Sequence, residues 1–146
     1  FRHFKLAGSS DNYLDKYRGA SSQQIQNIFL RKALELGFKD EKNGLFRNYK
    51  VKALRPDYYK PINDTGIIIE VERGKTIQNN MDMLDIWKCH ICDKADYLFL
   101  VVPKELRQNH HNFSSYKVYD MVCNRLESFF VKRNYINVKA LFVFGY

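Results

Sequence analysis

The sequence predicts an α/β fold with a mixed central sheet flanked by helices, and three observations predict it. Segments with helical spacing alternate with short apolar runs, one run is apolar throughout as a strand buried on both faces must be, and clusters of turn formers separate the segments. With 146 residues, 45% apolar and 15% aromatic, the chain can bury a substantial core. No repeat or long linker divides it, so residues 1–146 are expected to form one domain, with an irregular N-terminal segment over 1–19.

The first expected helix, ASSQQIQNIFLRKALELGF, opens on Ser at a plausible N-cap and stops at Gly37, with Ile25, Ile28, Phe29, Lys32 and Leu36 at helical spacing. GLFRNYKVKAL, Gly44 to Leu54, alternates enough to predict a strand. PDYYK and GIIIEVER predict two more, joined through the turn-rich PINDTG into a hairpin. TIQNNMDMLDIWKCHICDKA sets Ile77, Met81, Leu84, Trp87, Ile91 and Ala95 on one helical face, which assigns Trp87 to the core and N-capping to Asn79 or Asn80. DYLFLVVP is the strand expected to be buried on both faces. A third helix follows in SSYKVYDMVCNRLESFFVKRN, with Val118, Val122, Leu126 and Phe129 at helical spacing, and VKALFVFGY closes the chain as a strand. The order is αβββαβ followed by a further helix and strand.

Charge is unevenly placed. Residues 1–60 hold 13 Lys and Arg against 6 Asp and Glu, whereas residues 61–146 hold 11 against 10. Lys42, Arg47, Lys50, Lys52, Arg55 and Lys60 surround the single acid Asp57 and are interleaved with Phe46, Tyr49, Tyr58 and Tyr59, a pattern that suits either a polyanion surface or a solvated strand. The sequence holds no apolar run long enough to span a membrane, and its start lacks the apolar core of a signal peptide. Three unevenly spaced cysteines make no secreted disulfide framework, so the expectation is a soluble, cytoplasmic protein. Cys89 and Cys92 of KCHIC lack the second ligand pair a structural zinc needs and are expected to be small buried residues. His110 and His111 fall in a polar surface loop.

The chemistry concentrates in RPDYYKPINDTGIIIEVERGK. Side chains on a strand alternate faces, so Ile67, Ile69 and Val71 share one face while Ile68, Glu70 and Glu72 share the other. If the hairpin pairs about its turn, Asp57 comes to lie near Glu70 or Glu72. Three carboxylates held that close repel one another unless a cation joins them, and hard oxygen donors select Mg²⁺, Mn²⁺ or Ca²⁺. Cross-strand pairing of Glu70 and Glu72 with Arg73, Lys75 or the basic strand is the ordinary structural alternative.

RPDYYK followed by IIIEVERGK resembles the PD-(D/E)xK nuclease superfamily, whose motif is a Pro-Asp, a hairpin, then Asp/Glu-x-Lys on the adjoining strand. The resemblance implies a restriction-endonuclease-like αβββαβ core and Mg²⁺- or Mn²⁺-dependent hydrolysis of DNA. It also implies metal ligation by Asp57 and Glu70, with Glu72 standing where the usual Lys assists the attacking water. Glu72 would then be base or ligand, Lys75 could reach the site from three residues on, and Glu35 of the first helix could join the metal shell. Arg47, Lys50, Lys52, Arg55, Arg73 and Lys88 are the expected nucleic-acid contacts. A Mg²⁺-dependent DNA endonuclease is the leading expectation, with the restriction endonuclease branch first and repair, mobile-element or toxin nucleases close behind. A homodimer is expected if the substrate is duplex. A catalytically inactive nucleic-acid-binding or assembly module is the other expectation.

Overall fold

The computed structural model describes residues 3–6, 22–40, 44–51, 54–107 and 115–146. Its elements run β1 (His3–Leu6), α1 (Ser22–Glu35), β2 (Lys39–Asp40), β3 (Tyr58–Ile62), β4 (Thr65–Val71), α2 (Met81–Ile91), β5 (Tyr97–Val102), β6 (Glu105–Arg107), β7 (Ser115–Lys117), α3 (Val118–Glu127) and β8 (Ala140–Gly145). Among the described residues the main sheet has the order β1-β8-β5-β4-β3-β2, and β6 pairs with β7 apart from it. The sheet is mixed. β2, β3 and β4 form an antiparallel meander, whereas β4, β5, β8 and β1 run parallel. Helices α2 and α3 supply the long connections that parallel neighbours require. Among the described residues no helix is long and apolar enough to cross a membrane.

The two faces of the sheet bury two cores. On one, Ala33 of α1 packs with Phe38, Tyr58, Val71 and Val101, and Ile25, Phe29, Ile67 and Ile69 close around them. On the other, Ile68, Leu98, Leu100, Val102, Leu141 and Val143 meet Ile86 and Cys89 of α2 and Val118, Val122 and Leu126 of α3. The expected alternation of β4 is therefore observed, with Ile67, Ile69 and Val71 toward α1 and Ile68 toward α2. Residues of β5 contribute to both cores, as its continuous apolar run requires. Cys89, Cys92 and Cys123 are buried and free.

Several expectations need correction. Among the described residues of 44–54, which are 44–51 and 54, the expected strand is not formed. Gly44 takes a positive φ of 77°, and hydrogen bonds from Arg47 N to Gly44 O and from Tyr49 N to Phe46 O close successive turns. The alternation there serves to tuck Phe46 into the α2-side core, with Tyr49 edge-on to it at 5.0 Å. The third strand of the meander is the short β2 instead. The N-terminal segment, expected to be irregular, contributes β1 along β8. Ser115–Lys117 pairs with β6, so α3 begins only at Val118. His110 and His111 lie outside the described residues, as does Lys52.

The second helix is shorter than its pattern and turned the other way. Residues 74–80 form turns, α2 starts at Met81, and its buried residues are Asp82, Asp85, Ile86, Lys88 and Cys89. Trp87, expected in the core, is 39% exposed and lies beside exposed Met83 and Leu84. Asn80 occupies the cap position in left-handed conformation without a side-chain cap. Its Oδ1 accepts from Arg125 Nη2 at 2.6 Å instead.

Candidate active site

The hairpin positions the first two acids. Ile62 pairs with Thr65 across the two-residue turn and Tyr58 with Ile69, which sets Asp57 opposite Glu70. Side chains replace the ladder there: Asp57 N donates to Glu70 Oε2 at 3.2 Å, and Val71 N donates to Asp57 Oδ2 at 2.8 Å. Beyond the end of β4 the chain still follows β5, because Glu72 N donates to Val101 O at 2.8 Å. Asp57, Glu70 and Glu72 are thus brought together at the end of β4, on the side facing α2.

Helix α2 completes the cluster. Asp82, Asp85 and Lys88 recur every three residues and, with Ile86 and Cys89, form the stripe that faces the sheet. Lys88, only 7% exposed, places Nζ 2.7 Å from Glu70 Oε1 and 2.8 Å from Asp85 Oδ1. The Lys88 contact with Asp85 is an ion pair, and neither oxygen of this fully buried carboxylate receives a hydrogen bond of good geometry. Its side-chain contact with Glu72 becomes a hydrogen bond only when the pair of carboxyls carries a proton, since two carboxylates are both acceptors.

Electrostatics follow from that packing. Burial, then Asp85 and Asp57, hold the Glu70 carboxyl well above the usual range, with Lys88 opposing. Glu72 is pushed up to about 8, by burial first and by Asp85 next. Burial likewise raises Asp85 against the pull of Lys88. For Lys88, burial alone would favour the neutral amine, but Glu70 and Asp85 outweigh it and hold the ammonium charged. Among the described residues, the carboxyls of Glu70, Glu72 and Asp85 and nearby Asp57 have Lys88 as the cation in ion-pair contact with the cluster, at Glu70 and Asp85. Such an excess takes up protons or a further cation.

The remaining expected residues lie elsewhere. Glu35 sits at the end of α1, on the opposite face of the sheet, 48% exposed and paired with Arg31 and Lys32. Its surface partners, not the carboxylate cluster, claim it. Lys75 is exposed in the turns before α2, and Arg73 is half-buried with its charge felt by Tyr58 and Tyr146. Arg47, Lys50 and Arg55 are exposed. Lys88, expected to point into the same cleft and meet nucleic acid, is a buried member of the cluster, paired with Glu70 and Asp85.

Asp82 and Asp85 are not among the residues that the sequence pattern singles out. The available signal is the Asp-x-x-Asp-x-x-Lys spacing in MDMLDIWK, directly after the Glu-x-Glu strand. Among the described residues, no group of three His, Cys, Asp or Glu stands ready to hold a metal ion. The ammonium of Lys88 is the cation that draws Glu70 and Asp85 together. Comparison with protein-family models, curated proteins and solved structures found no match.

Proposed function

We propose that the protein is a Mg²⁺- or Mn²⁺-dependent nuclease of the PD-(D/E)xK type that hydrolyses DNA. The observation that carries this reading is the cluster at the end of β4, where the ammonium of Lys88 engages Glu70 and Asp85 while Glu72 meets Asp85 and Asp57 meets the Glu70 carboxylate through its backbone N–H. A structural ion pair balances its charges, whereas this cluster keeps an acid excess in a buried place. The order α1-β2-β3-β4-α2-β5, with an antiparallel meander and a parallel fourth strand, agrees with the core that the motif resemblance implies.

The donor chemistry is that of a hard divalent cation, but the described carboxylates do not surround an open position while Lys88 sits between Glu70 and Asp85. The cluster's oxygens are all carboxylate, the donor type that hard cations select. Asp57, Glu70 and Asp85 would hold the ion, with Glu72 at its side. When bound, it would lower the pKa of a water and neutralise charge at the phosphate. The chain's own residues have separate tasks. Glu72, titrating near neutral pH, is suited to move a proton at its carboxyl, and its burial keeps bulk water from competing. Lys88 provides the amine that the motif's third position lacks, arriving from α2 instead of from β4. Exposed Arg47, Lys50 and Arg55 supply phosphate contacts that position the strand. A homodimer would present two such sites to the two strands of a duplex.

Incubating purified protein with plasmid, single-stranded DNA and RNA, each with Mg²⁺ or EDTA, tests the reading. Metal-dependent cleavage that falls by about 100-fold or more in both Asp57→Ala and Glu70→Ala is expected. Activity undiminished in either variant would remove that residue from the site. One observation favours the second reading, a nucleic-acid-binding module without catalysis: Lys88 already engages Glu70 and Asp85. That module would bind DNA in a salt-dependent way with no response to metal.

A further inference from the structure

Lys88 stands where the nuclease reading needs its cation, and the inference drawn from its position rests on that reading. Lys88 Nζ lies 2.7 Å from Glu70 Oε1 and 2.8 Å from Asp85 Oδ1, so a single ammonium engages one oxygen of each. Mg²⁺ binds carboxylate oxygens at about 2.0–2.1 Å and keeps several waters around it. An ion drawing on those same two oxygens would press its positive charge and its hydration shell against the ammonium. Glu70 Oε2 and Asp57 Oδ2 each already accept a backbone N–H from the opposing strand and keep only part of their accepting capacity, so an ion drawn to this cluster still meets Lys88 at Glu70 and Asp85. We propose that the Lys88 ammonium and a divalent cation compete for Glu70 and Asp85, so that Lys88 is a built-in counter-ion whose displacement sets metal affinity and frees its amine.

The proposal explains two features at once. A buried lysine normally costs stability, and this one is held by two acids from two elements, as a group that stabilises the cluster in place of a metal must be. It also stands on α2 three residues after Asp85, so that leaving the acids moves the amine only along its own flexible side chain. On displacement the amine is free to meet a phosphate oxygen, which links loading of the site to its readiness for an anionic substrate.

The test needs no nucleic acid. Mn²⁺ binding to the wild type and to Lys88→Met is measured by electron paramagnetic resonance and by calorimetry, with folding checked by circular dichroism. Competition predicts binding tighter by about tenfold in the variant, an ordinary size for coupling between two bound groups. Equal or weaker binding in the folded variant overturns the proposal, as does absence of Mn²⁺ binding in both proteins.

A second measurement uses the unaltered protein and stands if the variant fails to fold. Acetylation of Lys88 by a water-soluble active ester is followed by peptide mass spectrometry with and without Mg²⁺. Faster labelling of Lys88 with Mg²⁺ supports displacement, and unchanged or slower labelling overturns it. The two readings fail separately. A protein that shows this exchange but cuts no DNA or RNA keeps the inference and loses the nuclease reading. One that cuts while Lys88 ignores metal does the reverse.

Discussion

Two aspartates one turn apart on α2 offer a comparison. Asp82 and Asp85 both have no solvent exposure, and burial raises the pKa of both. Each has a basic partner: Arg125 Nε lies 3.3 Å from Asp82 Oδ2, and Lys88 Nζ lies 2.8 Å from Asp85 Oδ1. Their surroundings part company beyond that. Arg125 spends its remaining donors on Asn80 Oδ1 and Ile77 O, so the Asp82 pair ties the turn before α2 to α3 in one charge-balanced fork. Lys88 spends its second contact on Glu70, another acid, with Glu72 and Asp57 close by. Balanced burial marks a structural tie, and unbalanced burial marks a place prepared for something else.

The largest expected effect tests the structural half. Replacing Arg125 with Met leaves Asp82 buried without its counter-ion and releases the start of α2. Breaking a buried pair in this way costs about 3–5 kcal/mol. Chemical denaturation at pH 7 measures it. Because burial already raises the Asp82 carboxyl, the deficit should shrink as pH falls and a proton neutralises it. A loss under about 1 kcal/mol would show that the Arg125 fork behaves as a surface pair and would erase half of the contrast.

The functional half predicts the opposite sign. Asp85→Asn removes one acid from an overcrowded cluster and still leaves Lys88 paired with Glu70. Stability in EDTA at pH 8 should rise by about 1 kcal/mol, and the thermal shift produced by Mn²⁺ should shrink. Destabilisation of Asp85→Asn as severe as that of Arg125→Met would mean that both aspartates are structural ties.

These pairs also show what the sequence could reveal. The alternation in GIIIEVE and the turn formers in PINDTG act locally, so the apolar face of β4, the hairpin and the meeting of Asp57 with Glu70 were all legible. The orientation of α2 was not. Its apolar residues Met81, Leu84 and Trp87 made the better stripe by hydropathy, yet the helix turns Asp82, Asp85 and Lys88 inward. Burial of a charge depends on partners distant along the chain, here Glu70 for Lys88 and Arg125 for Asp82, and periodicity carries no record of them. The turns over 44–50 misled for a similar reason. GLFRNYKVKAL alternates roughly as a strand would, but Phe46 joins a core whose other members, such as Ile68, Ile86 and Leu98, lie far along the chain.

The third effect is the most selective for charge. Glu72 has its folded pKa raised from 4.5 to about 8, so across that interval the native protein holds a proton that the unfolded chain has released. Stability must then fall as pH rises from about 4.5 to about 8, which is the direction opposite to that of a salt-bridged carboxylate with a lowered pKa. Glu72→Gln mimics the protonated form at every pH. In EDTA the variant and the wild type should melt together at pH 5 and diverge by pH 8.5, with the variant the more stable. Mg²⁺ should narrow that gap by stabilising the wild type more than the variant, because a bound cation offsets the cost of ionising Glu72 and has no acid to offset in Gln. A gap that is the same at both pH values would mean that Glu72 differs from Gln by packing rather than by charge. The acid excess at the end of β4 would then be one carboxylate smaller than the structure implies.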